Sequence, residues 1–132
     1  MLGGFAIIQS GFARATSDID LLIDTSPENF ARVKAAMLQL PDGAVREVTA
    51  EDFKECLVVR VGDEFVVDLM GQACGIGYEE ASRDITFTEI AGVNVPFANP
   101  ELLWKTKQTH REKDALDRIF LAELLKKKGL IP

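Results

Sequence analysis

Gly3-Gly4 is followed at short range by Arg14, Thr16 and the run Ser17-Asp18-Ile19-Asp20-Leu21-Leu22-Ile23. These residue types at this spacing suit a metal-dependent phosphate site. In an extended strand successive side chains alternate faces, so Asp18 and Asp20 project from one side and Ile19, Leu21 and Ile23 from the other. Two neighbouring carboxylates repel each other until a cation lies between them, and hard oxygen ligands suit magnesium, which shares its coordination with substrate phosphates. A third acid is available at Asp68, in the alternating run Glu64-Phe65-Val66-Val67-Asp68-Leu69-Met70, where Val66, Asp68 and Met70 share a face. If the two strands lie side by side, three acids converge.

An Asp-x-Asp strand, a Gly-Gly turn upstream and a later strand carrying one acid together resemble the nucleotidyltransferase superfamily. The hallmark motifs occupy roughly the first seventy residues. The Lys105…Arg111-Glu112-Lys113-Asp114…Asp117 stretch resembles the helical tail of bacterial members related to aminoglycoside and lincosamide adenylyltransferases and to abortive-infection-type toxins. The resemblance implies that Gly3 and Gly4 cradle nucleotide phosphates, that Asp18 and Asp20 bind two magnesium ions, and that Asp68 joins them and helps to activate an attacking hydroxyl. It further implies that Lys105 and Arg111 reach the triphosphate. Arg14, with Thr16 in the same loop, either neutralises a phosphate or pairs with Asp18 or Asp20 when metal is absent. The implied partners are a nucleoside triphosphate and a hydroxyl-bearing acceptor.

Two other functions fit the same residues. One is a non-catalytic nucleotide-binding or toxin-antitoxin component acting through a helical protein partner; the other is a metal-dependent hydrolase. In related domains a helix and most of a strand precede the Gly-Gly turn, whereas only Met1 and Leu2 precede it here. The expectation is a domain without that segment, with an exposed sheet edge that favours a homodimer.

The elements that must position these groups follow from patterning. Gly4 to Ser10 suits a short helix stopped by Gly11, and Asp18 to Asp24 a strand. Ser26-Pro27-Glu28 is a helix start, with Phe30, Val33, Ala36, Met37 and Leu40 as its apolar face. A strand is expected over Ala44 to Thr49, a helical turn over Glu51 to Glu55, and a hairpin from Leu57–Val61 and Glu64–Met70. Gly71 to Asp84 is expected to be a loop with a little helix at Tyr78 to Ser82, its Gly75-Ile76-Gly77 being ordinary loop sequence. A second hairpin, Ile85–Ile90 with Val93–Phe97, turns at Ala91-Gly92. Asn99-Pro100-Glu101 caps the tail, whose later helix has Leu116, Ile119, Phe120 and Leu124 as its expected core stripe. Lys107, His110, Lys113, Asp114 and Asp117 are assigned to its solvated face, Lys113 and Asp117 as an i,i+4 pair.

This order predicts one α+β (mixed α/β) domain over residues 1–132, with a small, mostly antiparallel sheet flanked by helices. Residues 1–98 form the core with the acidic site, and 99–132 a C-terminal helical tail. At 132 residues the chain can bury about two thirds of its unfolded surface. Cys56 and Cys74 lack metal-ligand spacing and suit small, reduced core residues; with no signal-like or membrane-spanning run, the chain is expected in the cytoplasm. A net charge of −6 argues against binding bulk DNA, since that affinity comes from basic groups releasing counterions. Acids in a cleft remain compatible with a nucleotide that arrives with magnesium.

Overall fold

The computed structural model describes residues 1–12 and 16–132, so Arg14 lies outside the described residues. The chain is α+β. Helix α1 (Gly3–Gln9) precedes strand β1 (Asp18–Leu22) and helix α2 (Pro27–Met37). A short α3 (Asp52–Glu55) leads into β2 (Val58–Gly62) and β3 (Val66–Met70), which form the expected hairpin. The β4 (Gln72–Ala73) and β5 (Ile76–Gly77) strands form a miniature hairpin followed by α4 (Tyr78–Ala81). A longer hairpin, β6 (Ile85–Ile90) and β7 (Val93–Ala98), is followed by α5 (Pro100–Thr106) and α6 (Glu112–Lys127). Among the described residues no helix is long and apolar enough to cross a membrane.

The main sheet has the order β1-β3-β2, with β1 parallel to β3 and β2 antiparallel to it. The other two sheets are antiparallel hairpins. In the main sheet the strand period of two sorts the residues by parity. Ile19, Leu21, Ile23, Val59, Val61, Val67 and Leu69 all pack into one apolar cluster with Phe30 of α2, Val45 and Val48. The even-numbered residues Asp18, Asp20, Arg60 and Asp68 stand on the opposite face. There the strand ends Leu22 and Met70 meet a second cluster built from α1, β7, α5 and α6, including Ile7, Phe97, Leu103 and Leu121. Tail and core residues thus share one interior.

Capping follows the local signals. Ser26 Oγ accepts the Asn29 N–H with Pro27 at the first helical position, and Asn99 Oδ1 accepts the Leu102 N–H ahead of α5. The β6–β7 turn takes positive φ at Ala91 (50°) and Gly92 (80°), as a two-residue hairpin loop of right-handed twist requires.

Four local expectations are corrected. Ala44–Glu47 is a 3₁₀ turn rather than a strand, because the Asp63 carboxylate in the β2–β3 turn accepts the N–H groups of Asp42 and Ala44 and holds that segment coiled. Residues 72–77 are a paired mini-hairpin rather than plain loop. Cys56 and Cys74 are exposed, not core. The inward stripe of α6 is Asp114, Asp117, Leu121 and Leu125, whereas Leu116 and Ile119 are 62% and 60% exposed. The helix is rotated from its apolar-only reading because Lys107 is buried beneath it and takes carboxylate partners.

Candidate functional site

Strand register builds the site. Asp20 is the direct partner of Asp68 across the parallel β1–β3 pair, and Asp68 is the direct partner of Arg60 across the antiparallel β2–β3 pair. Arg60, Asp68 and Asp20 therefore form one row across the sheet, with Asp18 two residues back along β1 on the same face.

The arginine holds two of the acids. Arg60 Nε donates to Asp68 Oδ1 at 2.9 Å and Nη2 to Asp68 Oδ2 at 3.1 Å, a two-pronged pairing. Nη2 also donates to Asp18 Oδ2 at 3.2 Å. Hydrogen bonding to Asp68, then the charges of Asp68 and Asp18, raise the Arg60 pKa further above its ordinary value.

Asp20 has a different setting. Burial pushes its carboxyl above the usual range, the neighbouring Asp68 and Asp18 charges push the same way, and the Lys107 ammonium opposes them. Gly3 lies against the Asp20 side chain with φ of +66°; a Cβ there would sit 1.8 Å from Asp20 Oδ2. Only glycine fits between α1 and this carboxylate. The Leu2 N–H donates to the Asp20 carbonyl at 2.9 Å, pinning the chain entering α1 to the acidic strand.

These groups open onto a cleft of about 470 Å³ lined by Gly4, Thr16, Asp18, Asp20, Arg60, Asp68, Lys107, Arg111 and Lys113, among others. Seven residues expected at the site or beside it thus gather in one place: Gly4 and Thr16, the three acids, Gly3 immediately behind Asp20, and Arg111. Lys105 is exposed on α5 and is not among the described residues lining the cleft. The tail lysines that reach it are Lys107 and Lys113.

Lys107 is itself held from behind. Its ammonium lies 3.0 Å from both Asp114 Oδ1 and Asp117 Oδ2, with all three residues buried. Thr109 Oγ1 donates to Asp114, and Arg118 Nη1 donates to the carbonyls of Lys107 and Thr109 at 2.8 and 2.7 Å. Burial raises the Asp114 pKa, but the hydrogen bonds from Thr109 and Lys107 and the charges of Lys107 and Arg111 outweigh it, leaving the carboxyl below its ordinary value. The expected surface pair of Lys113 with Asp117 is replaced by this internal one.

Arg60 was not among the residues expected at the site, although its signal is in the sequence. A three-residue turn at 63–65 places Arg60 opposite Asp68, and the period of two gives them a common face. Lys107 was assigned to solvent; its signal is the 114-117-121-125 stripe, where two acids continue an apolar helix face and so call for a buried cation.

The donor set fits magnesium in kind: three carboxylates on adjacent strands, with Asp20 pushed toward protonation by burial and then by its acidic neighbours. As the side chains stand, no group of three His, Cys, Asp or Glu among the described residues is placed to hold a metal ion. Arg60 bridges Asp18 and Asp68 instead. Compared with known proteins, the chain matches no family model and no curated protein.

Proposed function

We propose that the chain is a metal-dependent nucleotidyltransferase, moving a nucleoside monophosphate from a triphosphate to an acceptor hydroxyl and releasing pyrophosphate. The observation that carries this reading is the row Asp20–Asp68–Arg60, with Asp18 beside it, facing a cleft whose other wall bears Lys107, Arg111 and Lys113. In a chain with 21 acidic and 15 basic residues, four of the basic ones gather at one cleft, as an anionic ligand requires.

Asp18, Asp20 and Asp68 would hold magnesium, which when bound makes the acceptor hydroxyl more acidic and neutralises charge on the phosphates. The residues of the chain divide the remaining work. Arg111 and Lys113 orient the triphosphate tail, and Gly4 lets the backbone come close to it. The acceptor oxygen bonds to the α-phosphorus, the bond from that phosphorus to the bridging oxygen breaks, and the acceptor proton passes to an Asp68 carboxylate oxygen. Pyrophosphate leaves in line, its charge met by the basic wall.

The test is calorimetric titration of ATP, GTP, CTP and UTP with and without magnesium, on the wild type and on Asp18→Ala/Asp20→Ala. Magnesium-dependent binding of at least one nucleotide, lost in the double variant, is the expected result, followed by acceptor screening in which Asp68→Asn is inactive. Wild-type turnover by Asp68→Asn would remove that residue from the chemistry.

A second reading, a non-catalytic component working through a protein partner or a second copy of the chain, is favoured by Leu116 and Ile119. Both project from α6 into solvent on the side opposite its buried stripe. Under it no nucleotide binds, and the mass in solution exceeds that of one chain.

A further inference from the structure

We infer that Arg60 is a resident counter-cation of the acidic face, one that a divalent metal must displace in order to bind. The inference rests on the reading of Asp18, Asp20 and Asp68 as a metal site. The oxygens that Arg60 engages, Asp18 Oδ2 and both Asp68 oxygens, belong to two of the three carboxylates that would hold the metal. A guanidinium and a divalent metal drawn to the same carboxylate oxygens repel each other at that range, so the two cations compete.

Three features make Arg60 a placeholder rather than a fixed strut. Its side chain is 64% exposed, so its ion pairs are screened by solvent and cost little to break. It lines the same cleft as Arg111 and Lys113 and can therefore turn toward an anionic ligand once released. Its anchor is the β2–β3 register rather than packing, since the partnership of Arg60 with Asp68 follows from Cα pairing. Lys107 provides the contrast: buried and held by two acids, it is not free to move when the cleft fills. With Arg60 in place, Asp18 and Asp68 are held together by the chain's own cation and part of the repulsion on this face is offset.

Competition of this kind has a sign that a purely structural arginine would not produce. Removing a structural strut loosens the site and weakens metal binding; removing a competitor strengthens it. The experiment is Mn²⁺ binding to the whole chain, followed by electron paramagnetic resonance, for wild type, Arg60→Met and Arg60→Lys. Arg32→Met, an exposed arginine on α2, controls for the same change in net charge. Arg60→Met is expected to bind Mn²⁺ at least about fivefold more tightly than wild type, the lower end of ordinary coupling between sites. Arg60→Lys, unable to fork across two acids, should fall between, and Arg32→Met should match wild type. In EDTA, Arg60→Met should melt below wild type, and saturating Mn²⁺ should close that gap. Equal or weaker Mn²⁺ binding by a folded Arg60→Met would overturn the inference while leaving the metal site standing. Failure of every chain to bind Mn²⁺ would overturn both.

Discussion

Two groups of carboxylates with a basic partner meet at the cleft, and they are built in opposite ways. Lys107, Asp114 and Asp117 are buried, their contacts are short, and Thr109 and Arg118 close the network around them. Asp18 and Asp68 share one exposed arginine, and Asp20 carries a pKa raised first by burial and then by the neighbouring Asp68 and Asp18 charges. In the first arrangement both carboxylates have the buried Lys107 ammonium as a partner; the second is left with excess negative charge on an open face. Charge that a fold has balanced internally holds elements together, whereas charge left unbalanced beside a cleft is available to a ligand.

The largest effect is expected at Lys107. Lys107→Met leaves two buried carboxylates without their ammonium, and breaking a buried pair costs about 3–5 kcal/mol. In a domain of this size that lowers Tm by on the order of 10–15 °C by scanning calorimetry. A loss of only a degree or two would mean that the network is not the closed structural unit described. The next largest effect is expected from Gly3→Ala, which places a methyl group against Asp20 and a non-glycine residue at positive φ. It should cost about 1–3 kcal/mol in urea unfolding and abolish metal-dependent nucleotide binding.

The smallest effect sharpens the contrast through pH. Asp114 has a lowered pKa in the fold, so its stabilisation is fully present above the ordinary carboxylate pKa of about 3.9 and is lost as pH falls through the lower folded value. Asp114→Asn should therefore be destabilising at pH 7, the difference shrinking in acid. Asp20 has the opposite sign: its raised pKa means that the fold loses stability as pH rises from the ordinary carboxylate range through the folded value. Without metal, Asp20→Asn should raise Tm at pH 7 by no more than about 2–3 °C, and the gain should vanish below about pH 4. Magnesium should stabilise the wild type more than it stabilises this variant.

Much of this arrangement could be read from local pattern. Asp18 and Asp20 share a face because strands alternate, Asp68 because its own strand does, and Ser26-Pro27 and Asn99-Pro100 mark helix starts that the fold uses. What local pattern could not carry was the pairing between distant segments. Arg60 entered the site through the β2–β3 register, and Lys107 turned inward because Asp114 and Asp117, on the next helix, lie over it. Choosing Leu116 and Ile119 as the core of α6 was an error of the same kind: an apolar stripe competed with an acidic one, and a buried cation decided between them. Ala44–Glu47 coiled for a comparable reason, its backbone donors being taken by Asp63 from another turn.

That turn has a wider consequence. Residues 63–65 join β2 to β3, and the Asp63 carboxylate receives N–H groups from Asp42, Ala44 and Glu64. By tying the turn to the segment after α2, it sets the turn's length and with it the parity that separates the apolar interior from the charged face. One residue inserted there would present Val59 and Val61 to the cleft and drive Arg60 toward the interior, leaving every acid in place. A surface loop with no chemistry of its own is therefore among the least tolerant places in this chain for a change of length, while the exposed Glu64 and Phe65 remain permissive to changes of residue type.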